Sequence, residues 1–177
     1  IVARLDRPLA LVGLMGSGKS TVGRRTAEKL GLSFADSDQK IVRNAGISIT
    51  EIFELAGEAK FREMEFQAIT KLVLSKPQII ATGGGAFCFP QTARLLSTKS
   101  LVVWLKARPQ TLLARIGSTK SRPLLNNDNP LATLAKLNKE RVRHYKKAQI
   151  EIDTDGLSTR QAMMALLRAL DTYLARH

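Results

Sequence analysis

Short apolar runs alternate along this chain with longer stretches in which apolar residues recur every third or fourth position. The first kind reads as buried strands and the second as amphipathic helices, and their alternation is the pattern of an α/β protein with a parallel sheet. Residues 9–14 read as a first strand, followed by a glycine-rich turn and a helix from about Lys19 to Leu30. Ser33–Asp36 is a short second strand ending in acids. Ser48 and Glu51 have the spacing of a capping box, at the start of a helix carrying Ile52, Phe53 and Leu55. A longer helix over about 58–74 places Phe61, Phe66, Ile69, Leu72 and Val73 on its apolar side.

Gln78–Ala81 is a third strand closed by Thr82 and three glycines, and residues 101–105 are a fourth. A helix opens near Pro109, and residues 117–129, rich in Ser, Thr, Asn and Asp, have loop composition at a length that compact domains reserve for a purpose. A basic helix over 130–147 precedes a fifth strand, Ile150–Asp153. Ser158 and Gln161 open the last helix, with Met163, Leu166, Leu167, Leu170 and Leu174 on one face. The expected fold is therefore α/β: a doubly wound, five-stranded parallel sheet between two layers of helices, with ligands at the carboxyl ends of its strands.

Residues 13–20, Gly-Leu-Met-Gly-Ser-Gly-Lys-Ser, satisfy the spacing G-x-x-x-x-G-K-[ST] between a predicted strand and a predicted helix. Glycines there let backbone N–H groups turn inward around phosphate oxygens, and the helix adds its positive end. Lys19 can reach the β- and γ-phosphates, and the Ser20 hydroxyl is a magnesium ligand. Gly16, Ser17, Gly18 and Thr21 complete the expected ATP contacts. The motif suits ATPases, GTPases and small-molecule kinases alike. No N-K-x-D sequence follows, and the third strand ends in Thr82 rather than Asp, which disfavours a GTPase. The acid near magnesium is then sought at Asp36 and Asp38, expected on the same side of an extended chain. Helix capping is the plainer use of such carboxylates.

Other candidates are ambiguous singly. Glu65, three residues after Arg62, can brace its guanidinium, but a surface ion pair has the same spacing. Gly83, Gly84 and Gly85 imply either a ligand close to the backbone or a tight turn. Arg115 and Arg122 flank or lie in the polar loop, where a closing lid needs a cation for the transferring phosphoryl group. Arg141 and Tyr145 share a helix face. Each of these arginines alone fits a solvated surface equally well.

Composition adds limits. One domain suffices for 177 residues with 44% hydrophobic content. Cys88 is the sole cysteine, no secretion signal opens the sequence, and no apolar run reaches membrane-spanning length, so a cytoplasmic, membrane-free setting is expected. The net charge of +13 raises a nucleic-acid reading. No nucleic-acid-binding motif accompanies the charge, and none is expected as partner; a cleft for anionic small molecules is the competing account.

Together these residues resemble the shikimate kinase family over nearly the whole chain. Residues 12–23 are similar to its phosphate loop, and Asp36 and Asp38 to its paired acids, the first linked to magnesium and the second to substrate hydroxyls. The segment from Glu51 through Arg62 to Glu65 resembles its shikimate-binding stretch, and 81–86 its glycine-rich loop. Arg122-Pro-Leu-Leu matches its lid, and Glu140-Arg141 with Tyr145 matches a second carboxylate-binding arginine. The absent Asp after the third strand is normal in that family. The resemblance implies a P-loop NTPase of the nucleoside monophosphate kinase-like kind. It also implies a substrate-binding subdomain near 37–65, a lid near 117–129, and Arg115 on adenine. Segment 155–157 lacks the basic residue that some members place there. The implied activity is transfer of the ATP γ-phosphate to shikimate, with Mg²⁺, by a monomer on the route to chorismate and aromatic amino acids. Lys19, Asp38 and Arg122 are the implied catalytic residues; Asp38, Arg62, Gly83, Gly84, Gly85 and Arg141 are the implied substrate contacts.

Overall fold

The computed structural model describes residues 1–118 and 123–176. Five parallel strands form one sheet in the order β2-β3-β1-β4-β5. They are β1 (Leu9–Val12), β2 (Ser33–Asp36), β3 (Gln78–Ala81), β4 (Leu101–Lys106) and β5 (Ile150–Asp153). The three central strands are buried throughout apart from Lys106 at the end of β4, and both edge strands are partly exposed. Burial on both faces explains the near-continuous apolar character of β1, β3 and β4.

Alternate residues of these strands feed two cores. Ala10, Val12, Ile80, Val102 and Trp104 face one side. They meet Ile69 and Leu72 of α3 (Ile49–Val73), Leu96 of α4 (Pro90–Lys99) and Leu134 and Tyr145 of α6 (Pro130–Tyr145). Leu9, Leu11, Ile79, Val103 and Leu105 face the other side, against Val22 and Ala27 of α1 (Lys19–Leu30) and Leu166 and Leu170 of α7 (Thr159–Arg176). The expected sandwich of a doubly wound sheet between helices is present. Between β3 and β4, β1 sits where the winding reverses, which opens a crevice at its carboxyl end.

Two helices had no clear forecast in the hydropathy pattern: α2 (Ser37–Ala45) and α4. Because α2 begins at Ser37, the chain is not extended through Asp38; β2 ends at Asp36, and Asp38 lies in the first helical turn. The capping box at Ser48 forms, with the Ser48 side chain accepting from the Glu51 amide and the Glu51 carboxylate accepting from the Ser48 amide. Gly57 (φ 79°) then breaks α3 into two helical segments, close to where two helices were expected. A small third core of Ile41, Ile52, Phe61 and Ala68 joins α2 to α3.

Helix α5 (Pro109–Ile116) leads into the polar stretch 117–129. From Pro123 onward this stretch is anchored: Pro123–Leu125 form a 3-10 turn, Leu125 is buried in the main core, and the Asn127 amide donates to the Leu124 carbonyl and the Thr133 hydroxyl. Among the described residues no helix is long and apolar enough to cross a membrane.

Candidate functional site

A cleft of about 680 Å³ opens at the carboxyl end of β1. Gly16, Ser17, Gly18, Lys19, Ser20 and Thr21 all line it. The loop's shape depends on glycine: Gly13, Gly16 and Gly18 have φ between 79° and 140°, and a Cβ on Gly16 would lie 2.7 Å from the Leu112 carbonyl oxygen. Lys19 folds back over the loop, donating to the carbonyls of Gly13 and Leu14 at 2.9 Å each. Its ammonium is thereby held against a glycine-rich loop of a kind whose backbone N–H groups suit anions.

Ser20 Oγ donates to Asp36 Oδ2 at 2.7 Å. The other oxygen of the same carboxylate caps α2, accepting from the amides of Asp38 and Gln39. Capping and a place beside the phosphate loop, which the sequence offered as alternatives, are both realised at Asp36. A hydroxyl and an anionic oxygen adjoining a phosphate cradle are hard oxygen donors, which suit magnesium.

At the far end of the cleft lie Arg115, Ile116, Thr154, Leu157, Ser158 and Thr159. Arg115 donates through Nη1 to Thr154 Oγ1 at 2.9 Å and through Nη2 to the Thr154 and Leu157 carbonyls, so its guanidinium is fixed against the segment after β5. In that segment Asp155 pairs with Arg108 at 2.7 Å, and Thr154, Leu157, Ser158 and Thr159 form the cleft wall. Arg122 lies outside the described residues.

The acceptor candidates gather beside Thr82 around Gly83, Gly84 and Gly85. None of these three has a positive φ. Close approach explains the glycines, but the approaching groups are the site's own side chains rather than only a ligand or a turn. A Cβ on Gly83 would lie 2.7 Å from both Asp38 Oδ1 and Glu65 Oε1, and one on Gly85 would lie 2.7 Å from Arg62 Nη2. Arg141 Nη1 comes 3.6 Å from the corresponding point on Gly84. The loop is also tied from β2's side, where Gly83 N donates to Ser37 Oγ at 3.1 Å.

Arg62 is not a surface ion pair. Its Nη1 donates to Glu65 Oε2 at 2.7 Å, and the side chains are 16% and 1% exposed. Its guanidinium lies 4.1 Å from the centroid of the Phe89 ring and 5.1 Å from that of Phe61. Burial pushes the Glu65 carboxyl above its ordinary range, while Arg62 pulls it down. Glu65 Oε1 and Arg62 Nε are buried without a hydrogen-bond partner among the described residues. Polar atoms in that state are costly unless something binds them. Phe89 and Ser37 carried no recognisable signal in the sequence, since an isolated aromatic or hydroxyl residue has no spacing to betray it.

The site is thus a cleft at the phosphate loop adjoining a glycine run on which Asp38, Glu65, Arg62 and Arg141 converge. The family model described as shikimate kinase matches residues 15–171. A shikimate kinase of Rhodopseudomonas palustris is 41% identical over 175 residues, covering 98% of this chain and 86% of that protein. The structure of a shikimate kinase from Acinetobacter baumannii in complex with shikimate superposes with a TM-score of 0.92 at 36% identity, over 97% of each chain. A gluconokinase from Sinorhizobium meliloti, 20% identical with a TM-score of 0.59 over 98% of this chain and 99% of its own, shares the fold. With a matching family model across most of its length and a close relative over nearly all of it, the chain belongs to the shikimate kinase family.

Proposed function

We propose that this kinase transfers the γ-phosphoryl group of ATP to the 3-hydroxyl of shikimate, giving shikimate 3-phosphate and ADP on the route to chorismate. The observation that carries the reading is the position of Asp38. It lines the phosphate cleft and also lies against Gly83 beside Glu65, so one carboxylate belongs to both halves of the site. A group placed there can address a hydroxyl held by the pocket and a phosphate held by the loop.

In this reading the hydroxyl oxygen of the acceptor attacks the γ-phosphorus as the bond to the β,γ-bridging oxygen breaks. Asp38 orients the hydroxyl and accepts its proton. Gly16, Ser17, Gly18 and Thr21 cradle the phosphates. Lys19 and Arg122 balance the charge spread over the transferring group. Ser20 and Asp36 would hold a magnesium ion, which supplies charge neutralisation at the phosphate oxygens. Arg62 and Arg141 grip the acceptor's carboxylate by charge-assisted hydrogen bonds, with Gly83, Gly84 and Gly85 as the floor of the pocket. Arg115 bounds the adenine end. Residues 37–65 form the acceptor-binding subdomain, and 117–129 serve as the lid, tethered at its far end by the buried Leu125, that keeps water from the phosphoryl group. A monomer contains every group that this scheme uses.

Purified protein with ATP, magnesium and shikimate should yield shikimate 3-phosphate and an equal amount of ADP. Gluconate and nucleoside monophosphates, offered in parallel, should yield at most trace product. Turnover of either in preference to shikimate would overturn the acceptor assignment.

A further inference from the structure

Tyr145 ends α6 with its side chain inside the main core, 1% exposed, next to the ring of Trp104 at 5.7 Å between centroids. For packing alone a phenylalanine would serve. The hydroxyl has partners of its own: Tyr145 Oη donates to the carbonyl of Gly84, 61 residues away in sequence, and the Arg141 guanidinium and Cys88 thiol also lie within hydrogen-bonding reach of it. Burial pushes the phenol's pKa up, so the hydroxyl keeps its proton at neutral pH.

Gly84 is the middle residue of the run on which the acceptor pocket rests. To one side of it, Gly83 leaves only enough room for Asp38 and Glu65; to the other, Gly85 leaves room for Arg62. Arg141, one turn before Tyr145 on α6, reaches the same residue with its guanidinium. One turn of helix therefore carries both a cation that faces the pocket and the hydroxyl that fastens the pocket's floor. Without that bond the half-buried Gly84 carbonyl would lose its hydroxyl partner, and the glycine run, which has no side chains of its own, would lose a tie to α6.

We infer that Tyr145 is a positioning residue for the acceptor site: its hydrogen bond to Gly84 sets the glycine run at the distance from Arg141 that a carboxylate-bearing acceptor requires. The inference rests on the acceptor reading given above. It assigns the hydroxyl a task separate from that of the ring, which belongs to the core.

The test is Tyr145→Phe, which keeps the ring and removes the donor, assayed beside the native enzyme. Loss of one buried hydrogen bond that orients a binding group should raise KM for shikimate roughly tenfold. KM for ATP should rise less, by no more than about threefold: Gly84 also packs against Gly13 and Met15 of the phosphate loop, but that loop is held as well by Lys19 bonding to the Gly13 and Leu14 carbonyls. An unmoved shikimate KM overturns the inference. So does an equal loss for both substrates with a lowered Tm, which would mark the hydroxyl as serving the fold alone. Native enzyme that makes no product from shikimate would overturn the acceptor reading instead, so the two failures are distinct. If the variant does not fold, the native protein decides. Trp104 is the sole tryptophan and touches Tyr145, so its emission should change saturably on addition of shikimate and not of gluconate. Emission that ignores shikimate overturns the coupling.

Discussion

Arg62 and Glu65 form a buried pair, 2.7 Å between Nη1 and Oε2, on the helix that walls the acceptor pocket. Three-residue spacing on one helix face sets the pair, and the Phe89 ring beside the guanidinium limits where it can move. The guanidinium fork is thus oriented before any ligand arrives.

Replacing Arg62 by Lys keeps the charge and loses the planar fork. Shikimate KM should rise roughly tenfold to a hundredfold, the range for losing a charge-assisted hydrogen bond. ADP affinity, read by calorimetry, should not change. An equal weakening of both ligands would contradict the assignment of Arg62 to the acceptor.

Glu65 predicts a dependence on pH. Its carboxyl is raised above the ordinary 4.5 by burial, against the pull of Arg62. As pH falls it takes up a proton before exposed carboxylates do, and Arg62 loses its buried counter-charge, keeping only the exposed Glu58 at 3.4 Å. The acid limb of kcat/KM for shikimate should therefore have its midpoint above 4.5, and Glu65→Gln should be low and flat over that range. Stability runs the other way. With a folded pKa above the unfolded one, the contribution of this carboxyl is complete below the unfolded value and is lost as pH rises through the folded value. The Gln variant should accordingly lack that fall in Tm between the two.

Asp36 both caps α2 and bonds to Ser20. Asn is as good a cap as Asp, so Asp36→Asn should keep the native Tm within a few degrees while raising the magnesium concentration needed for half-maximal rate roughly tenfold or more. Asp36→Ala should show the same magnesium defect and lose a further ~1 kcal/mol of stability from the missing cap.

The net charge of +13 acts on both co-substrates, since ATP and shikimate are anions. Raising salt from about 0.02 to 0.3 M should lower kcat/KM for each several-fold with little change in kcat, as expected for screened attraction. Viscosity and stopped-flow measurements would locate the effect in association.

How much of this was legible in the sequence follows from what each element had to signal. Strands β1, β3 and β4 announce themselves because burial on both faces demands unbroken apolar residues. The phosphate loop does so because its backbone demands glycine at fixed spacing. Helix α2 has nine residues with Ile41 as its fully buried apolar residue, and α4 has ten with Leu96, so each is too short to repeat its pattern over many turns. Missing α2 also misplaced Asp38, which was read on an extended chain and stands in a helical turn. The acceptor pocket was legible as a set of candidates but not as a shape. That Gly83 makes room for Asp38 and Glu65 is a fact about three segments far apart in sequence. Arg122 lies outside the described residues, and its part in the scheme rests on the lid motif alone.

Strand β1 sends Ala10 and Val12 into one core and Leu9 and Leu11 into the other. Neither helical layer can therefore come apart without loosening the four residues that carry the phosphate loop. The consequence is cooperative unfolding: a ligand gripping the loop is linked to both halves of the protein at once. ADP at a hundred times its Kd should then lift the whole transition, by about 2.7 kcal/mol, as a single sigmoid seen alike by Trp104 fluorescence and by circular dichroism.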